Sequence, residues 1–297
     1  CIRDSNQDGT KMFIVGKDGD EVNEYTLSTG YDVSTASYDS NFSVASQDTI
    51  PQDIVFNTDG TKMFIVGEGN DAVYEYTLST GFDVSTASYD SNFSVSSQET
   101  SPQGLAFNND GTKMFITGDG GKDVNEYTLS TGFDVSTASF VDSFDISSED
   151  GLPNGLAFNS DGTKMFVTGN RGNDINEYTL STGFDVSTAS FVGNISVSSQ
   201  DTTPSGIKFN HDGTKLFMVG VVGADINEYT LTSPFSLVNI SGEHTGDVID
   251  TSNTSTNDTD EDGDTLTITA VRTGNSEGSG TAGTVGQSLT GTYGDLT

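Results

Sequence analysis

The sequence predicts an all-β protein, a β-propeller of four-stranded blades, and three observations carry that prediction. An Asp-Gly pair recurs at Asp8, Asp59, Asp110, Asp161 and Asp212, a spacing of 51 residues each time with nothing inserted or deleted. Each copy contains four short runs of strand character divided by turn residues, and none shows helical periodicity. The period also excludes alternatives: a solenoid coil is shorter, and a string of sandwiches needs roughly 100 residues per unit. Five copies are visible.

The third copy serves for all. Pro102 cannot donate to a ladder and marks the start of a first strand, Gln103 to Phe107. Small residues in this strand (Gly104 and Ala106, then Gly155, Ala157 and Gly206 in later copies) suit the crowded inner end of a wedge. Asn108-Asn109-Asp110-Gly111 supplies a tight turn, because Asn, Asp and Gly tolerate positive φ. The second strand, Lys113 to Thr117, is almost continuously apolar, as a strand covered on both faces must be. The third, Val124 to Leu129, alternates polar with apolar. The fourth, near Phe140 to Ser147, is rich in Ser and Asp and reads as the outer edge. Copy one has Cys1-Ile2-Arg3-Asp4-Ser5 in place of a good inner strand, and copy five drifts after Leu231. Five blades closing on themselves, or a ring of six or seven that begins upstream, both fit.

The run Pro-x-Gly-(Ile/Leu)-x-Phe-Asn-x-Asp-Gly-Thr-Lys-Met-Phe-(Ile/Val) resembles the blade core of bacterial surface propellers of the YVTN, NHL and lactonase-like type. It departs from the namesake tetrapeptide, ending in Val-Gly or Thr-Gly rather than Thr-Asn. The resemblance covers residues 1 to about 242 and implies the fold. It leaves activity open, since that superfamily holds enzymes, binders and structural modules.

Charge narrows the partners. With 44 acidic and 11 basic residues the formal net charge is -33. Such a chain does not bind nucleic acid through phosphates or dock on anionic lipid. No apolar run is long enough for membrane insertion. Cys1 is the only cysteine, which excludes an internal disulfide and a Cys-built zinc site. It reads either as the lipid-bearing first residue of a lipoprotein or as the cut end of a longer chain.

Among candidate functional residues, one Lys and one Glu recur per copy: Lys11, Lys62, Lys113, Lys164 and Lys215 with Glu24, Glu75, Glu126, Glu177 and Glu228. Their places on the second and third strands predict structural cross-strand pairs. The Asn-x-Asp-Gly segments offer too few oxygens for calcium and read as turns. Acidic residues in the loops after the second strand (Asp18, Asp20, Glu68, Asp71, Asp119, Asp123, Asp174, Asp225) should share one face with those between blades (Asp48, Glu99, Glu149, Asp150, Asp201). That face would be either a solvated acidic rim or a surface gathering Ca²⁺ or cationic groups. Nucleophilic catalysis finds no support: His211 sits in an Asp-Gly turn, His244 in a linker, and none of the five copies contains a Gly-x-Ser-x-Gly elbow.

After Gly242 the repeat stops, so residues 1–242 are assigned to the propeller and 243–297 to a linker and a partial second module. Asp258, Asp260, Asp262 and Asp264 alternate around Gly263 like the opening of an EF-hand loop, but Thr269 stands where a bidentate Glu belongs. These four aspartates are the candidate metal ligands, for Ca²⁺. The string Asp262-Gly263-Asp264-Thr265-Leu266-Thr267-Ile268-Thr269-Ala270-Val271, with Gly280 to Gly286 and Gly291-Thr292-Tyr293-Gly294, resembles a VCBS-type, cadherin-like repeat. That resemblance implies sandwiches strung along large secreted adhesins, often loaded with calcium.

Taken together, the expectation is a non-catalytic interaction or adhesion module of a large acidic bacterial protein, secreted or at the cell surface (a virion surface fits similarly). Its partner would be a glycan or a surface protein, bound with calcium's help, and tandem domains would follow in the same chain. The absence of catalysis is expected because near-identical copies leave no privileged spot. Two alternatives stand beside it: a calcium-dependent lactonase-like hydrolase or lyase, and a structural spacer.

Overall fold

Each copy folds as one four-stranded antiparallel sheet because its turn residues fall where the chain must reverse. The computed structural model describes residues 2–237 and 240–241, with short strands at 271–272, 282–283, 289–291 and 294–296. Blade 1 holds β1 (Ile2–Ser5), β2 (Lys11–Gly16), β3 (Glu21–Leu27) and β4 (Ala36–Ser43). Blade 2 holds β5 (Pro51–Phe56), β6 (Lys62–Gly67), β7 (Ala72–Leu78) and β8 (Ala87–Ser94). Blade 3 holds β9 (Pro102–Phe107), β10 (Lys113–Gly118), β11 (Asp123–Leu129) and β12 (Ala138–Asp145). Blade 4 holds β13 (Pro153–Phe158), β14 (Lys164–Gly169), β15 (Asp174–Leu180) and β16 (Ala189–Ser196). Blade 5 holds β17 (Pro204–Phe209), β18 (Lys215–Gly220), β19 (Ile226–Leu231) and β20 (Ile240–Ser241). Sequence neighbours are sheet neighbours throughout. The fold is a five-bladed β-propeller.

The repeated turn explains itself atom by atom. Asn108 Oδ1 accepts the Lys113 N–H at 2.9 Å, and Asp110 Oδ1 accepts both the N–H (3.0 Å) and the hydroxyl (2.6 Å) of Thr112. Gly111 has φ +70°, and a Cβ there would lie 2.3 Å from the Phe133 ring. The motif therefore uses its oxygens on its own chain, as the turn reading requires.

Two features go beyond the sequence reading. Between third and fourth strands a short 3₁₀ turn, Val135–Thr137 in blade 3, is capped by Asp134 Oδ1 accepting the Ser136 N–H at 3.1 Å. The third strand, expected to be half exposed, is buried from Val124 through Tyr127. A middle strand of a blade has a neighbouring blade on both faces, so its polar Asn125 and Glu126 are buried too.

Blades join through the recurring Lys and Glu. Lys113 Nζ meets Glu126 Oε1 at 2.6 Å, as the cross-strand expectation requires. The pair also reaches the next blade: Glu126 Oε2 accepts the Val186 N–H at 3.1 Å, and Lys113 Nζ donates to the Phe184 carbonyl. The same device closes the ring, for Lys215 Nζ donates to the Tyr31 carbonyl at 2.9 Å and Tyr31 stacks on Phe217. Inner strands β1 and β17 are in contact. Five blades thus close on themselves, and the six- or seven-bladed alternative falls. At the inner strands crowding is severe: a Cβ on Gly104 would sit 2.4 Å from the Asn154 carbonyl oxygen.

The chain divides into two compact units, Cys1–Gly242 and Glu243–Thr297. In the second, β21 (Val271–Arg272) pairs with β22 (Ala282–Gly283), and β23 (Leu289–Gly291) pairs with β24 (Gly294–Leu296). The other residues on which the VCBS resemblance rests lie outside the described ones.

Candidate functional site at the propeller axis

The inner strand of a blade has one unpaired edge, and its outward N–H groups need acceptors. Two carboxylates meet that need. Asp4 Oδ2 accepts the Phe56 N–H and Asp53 Oδ2 the Leu105 N–H, both at 2.8 Å, each stitching one blade to the next. Asp53 Oδ1 also accepts the Ile54 N–H at 2.6 Å. These residues break the repeat. Asp53 stands where later blades have Gly104, Gly155 and Gly206, while Asp4 and Lys208 stand where others have Val55, Ala106 and Ala157. Burial pushes the Asp53 carboxyl up to about 6, against the pull of the Lys208 ammonium and the two N–H donors, and the Asp4 charge adds to the rise.

A second break lies at one mouth of the axis, at the residue following each second strand. The five positions read Lys17, Glu68, Asp119, Asn170 and Val221. Glu68 is satisfied by the inner strands beside it: Oε2 accepts from Gln52 Nε2 (2.8 Å) and Gln103 Nε2 (3.4 Å), and Oε1 from the Ser101 hydroxyl (3.0 Å). One blade on, the matching donors are lost or turned away: Gln103, the counterpart of Gln52, gives its amide to Glu68 and to the Ser101 hydroxyl. Leu152 replaces Ser101, and Asn154 replaces Gln103 but gives its amide to the Pro204 carbonyl at 3.0 Å. Asp119 Oδ1 is consequently buried with no hydrogen-bond partner, and so is Asn170 Oδ1 in the following blade. Burial, then the charges of Glu68, Glu99 and Asp150, raise the Asp119 carboxyl to about 6, with Lys122 opposing.

The acidic residues between blades behave differently from the rim expected of them. Asp48, Glu99, Asp150 and Asp201 are all buried. Each folds under the loop of its own next blade: Glu99 accepts the N–H groups of Gly120 and Gly121 at 2.8 and 2.9 Å, and Asp48 those of Gly69 and Asn70, both at 3.1 Å. They are loop anchors rather than surface charge.

At the opposite mouth, a cavity of 240 Å³ is lined by Lys208, His211 and Asn210 over an apolar floor that includes Phe158 and Phe209. His211, singled out only as a turn residue, thus borders the axis. The predicted calcium ligands Asp258, Asp260, Asp262 and Asp264 lie outside the described residues. Among the described residues no three His, Cys, Asp or Glu side chains are grouped to hold a metal ion. The acidic mouth instead combines two carboxylates with amide oxygens. Its two orphaned oxygens are the feature that fits a hard, oxygen-seeking cation, with water supplying the remainder of six to eight ligands.

No protein-family model and no curated protein sequence matches the chain. Solved structures do. A putative 6-phosphogluconolactonase from Bacteroides uniformis is similar at TM-score 0.52 and 14% identity, over 82% of this chain and 69% of that one. The periplasmic gluconolactonase of Pseudomonas aeruginosa has TM-score 0.45 and 15% identity, over 77% of this chain and 65% of its own length. Virginiamycin B lyase from Staphylococcus aureus has TM-score 0.45 and 15% identity, over 78% and 70%. At such identities the likeness establishes the β-propeller fold, of the kind on which lactonase-like proteins are built. The expectation of a non-catalytic chain is corrected here. The Bacteroides uniformis neighbour carries a lactonase name on this architecture, and the premise of interchangeable copies fails at Asp4, Asp53, Asp119 and Lys208.

Proposed function

We propose that the chain is a calcium-dependent hydrolase of the lactonase type, acting on cyclic esters at the mouth formed by Glu68, Asp119 and Asn170. The observation that carries this reading is the buried, unpartnered Asp119 Oδ1, with a second orphan, Asn170 Oδ1, at the equivalent position one blade on. An unsatisfied buried carboxylate oxygen is costly and marks a place completed by something else. The lactonase name of the Bacteroides uniformis structure supports the choice of ester chemistry.

A divalent cation at this mouth would supply Lewis-acid polarisation of an ester carbonyl. The chain's own share is to bring oxygens from three successive blades together and to concentrate negative charge. Glu68 is held by Gln52, Gln103 and Ser101, so its position is fixed before any ligand arrives. With a net charge of -33 the molecule disfavours phosphorylated substrates, and neutral lactones are expected to be the better ones.

The test is lactone hydrolysis followed by proton release, on neutral sugar and aliphatic lactones and on a phosphorylated one, after chelation and again with Ca²⁺ restored. Turnover should return with Ca²⁺. Asp119→Asn should lower it at least a hundredfold while leaving the melting temperature of the chelated protein within a few degrees. No hydrolysis of any lactone with Ca²⁺ present, or full activity in Asp119→Asn, overturns the proposal.

A further inference from the structure

Blade 2 differs from its sisters on one face of its outer half, independently of the axis. In each of the other four blades an acid at this position is bonded to an amide, Asp225 of blade 5 accepting from Asn227 Nδ2 at 3.0 Å. Asn41 Nδ2 donates to Glu21 at 2.8 Å, Asn125 Nδ2 to Asp123 at 2.6 Å, and Asn194 Nδ2 to Asp174 at 2.8 Å. In blade 2 the acid is Ala72, the third-strand Asn is Tyr74, and the loop Gly of every other blade is Asn70. Asn92, the counterpart of Asn41 and Asn194, has lost its carboxylate and turns to the Tyr89 hydroxyl at 3.1 Å. A groove of 370 Å³ opens, lined by Ser46, Gln47, Asn70, Tyr74, Tyr89 and Asn92 and floored at Ala72.

Its lining carries no charged side chain, in a molecule of net charge -33. That excludes the obvious occupants: an anion is repelled by the whole molecule, and a cation is better served by the acidic sister grooves. What remains is an uncharged ligand with both an apolar C–H face and a girdle of hydroxyls. Tyr89 is 41% exposed and offers ring surface, backed by the edge-on Tyr76 ring at 5.9 Å. The wall is rigid, since the Tyr74 hydroxyl is held by Asn70 (3.1 Å) and Asp48 (3.2 Å). Asn92, Gln47 and Ser46 supply both donors and acceptors. The volume falls within the about 300–1,000 Å³ usual for small-ligand sites.

We infer that the groove on blade 2 between Tyr74 and Tyr89 is a binding site for a neutral saccharide, separate from the axial mouth. The experiment is saturation-transfer NMR on the full chain with methyl glycosides of glucose, galactose, mannose and N-acetylglucosamine and their β-linked disaccharides. Binding of at least one is expected, and Tyr89→Ala should weaken it about tenfold. The triple variant Asn70→Gly, Ala72→Asp, Tyr74→Asn rewrites blade 2 with residues that blade 3 already folds with, and should abolish binding at an unchanged melting temperature. Lactone hydrolysis in that variant should stay at the wild-type level, which separates this site from the axial one. No saccharide signal with the native chain, or undiminished binding by the triple variant, overturns the inference. If the triple variant unfolds, retention or loss of binding in Tyr89→Ala decides alone.

Discussion

The seams between blades and the axis they surround are built from the same repeat, yet they answer to opposite demands. At the seams the parts are interchangeable: Lys62 with Glu75, Lys113 with Glu126 and Lys164 with Glu177 each pair in their own blade. Every one of these lysines then reaches a carbonyl of the next. At the axis the blades diverge, and Asp4, Asp53, Asp119, Asn170 and Lys208 each occupy a position held by another residue type elsewhere. Stability in a repeat ring comes from summed nearest-neighbour terms, which favour sameness. Recognition of one ligand by a ring needs difference. At the divergent positions after the second strand, Asp119 and Asn170 keep unpartnered oxygens, and that is where chemistry is to be sought.

The largest effect expected is at a seam. Glu126 is buried, neutralises Lys113 and accepts the Val186 N–H, so Glu126→Ala removes the charge partner of Lys113 and leaves a buried amide without its acceptor. A broken buried pair costs about 3–5 kcal/mol. Glu228, at the closing seam, is 25% exposed against 3% for Glu126, and its alanine variant should lose less than half as much. Urea unfolding of both variants checks this, and equal losses would show that the closing seam is no weaker than the others.

Next comes Asp53 at the axis. Its carboxyl is raised to about 6 in the fold from an ordinary 3.8, so the folded state holds the proton more tightly than the unfolded chain. The resulting stabilisation is fully present at pH below about 4 and is lost as pH rises through 6. A shift of this size corresponds to about 3 kcal/mol. Asp53→Asn removes that titration. The native chain should therefore lose stability relative to the variant between pH 4 and pH 7, measured by melting at each pH. A constant difference across that range would show that Asp53 ionises as an exposed aspartate does.

How much of this was legible follows the same division. The fold was readable because Asp8 and its four counterparts keep a spacing that only a stacked unit preserves. The Lys–Glu pairs were readable within a blade, but their second partners are backbone atoms 60 and 71 residues away, such as the Val186 N–H and the Phe184 carbonyl. No side-chain pattern announces a backbone acceptor. Asp48 and Glu99 were misplaced to a solvated rim because their burial depends on the N–H groups of Gly69 and Gly120, again silent in sequence. The axial site did leave a signal. Aligning copies and asking where they differ isolates Asp53 among glycines and the series Glu68, Asp119, Asn170. Weight placed on similarity hid it.

The smallest effect sharpens the contrast from the side of sameness. Asp110 and its four equivalents each accept from the Thr two residues on, and those hydrogen bonds hold the carboxyl below its usual range in all five turns. A depressed folded value means the stabilisation is present at neutral pH and disappears as pH falls through that lowered value, below 3.8. Because the turns are exposed, solvent screens the interaction, and each contributes no more than about 1 kcal/mol. Asp8→Ala, Asp59→Ala, Asp110→Ala, Asp161→Ala and Asp212→Ala should accordingly agree with one another within about 0.5 kcal/mol at pH 7, and all should converge on the native chain in acid. One turn standing apart from the other four would place broken symmetry in the shell as well as at the axis, and would reopen the Asn-x-Asp-Gly segments as sites in their own right.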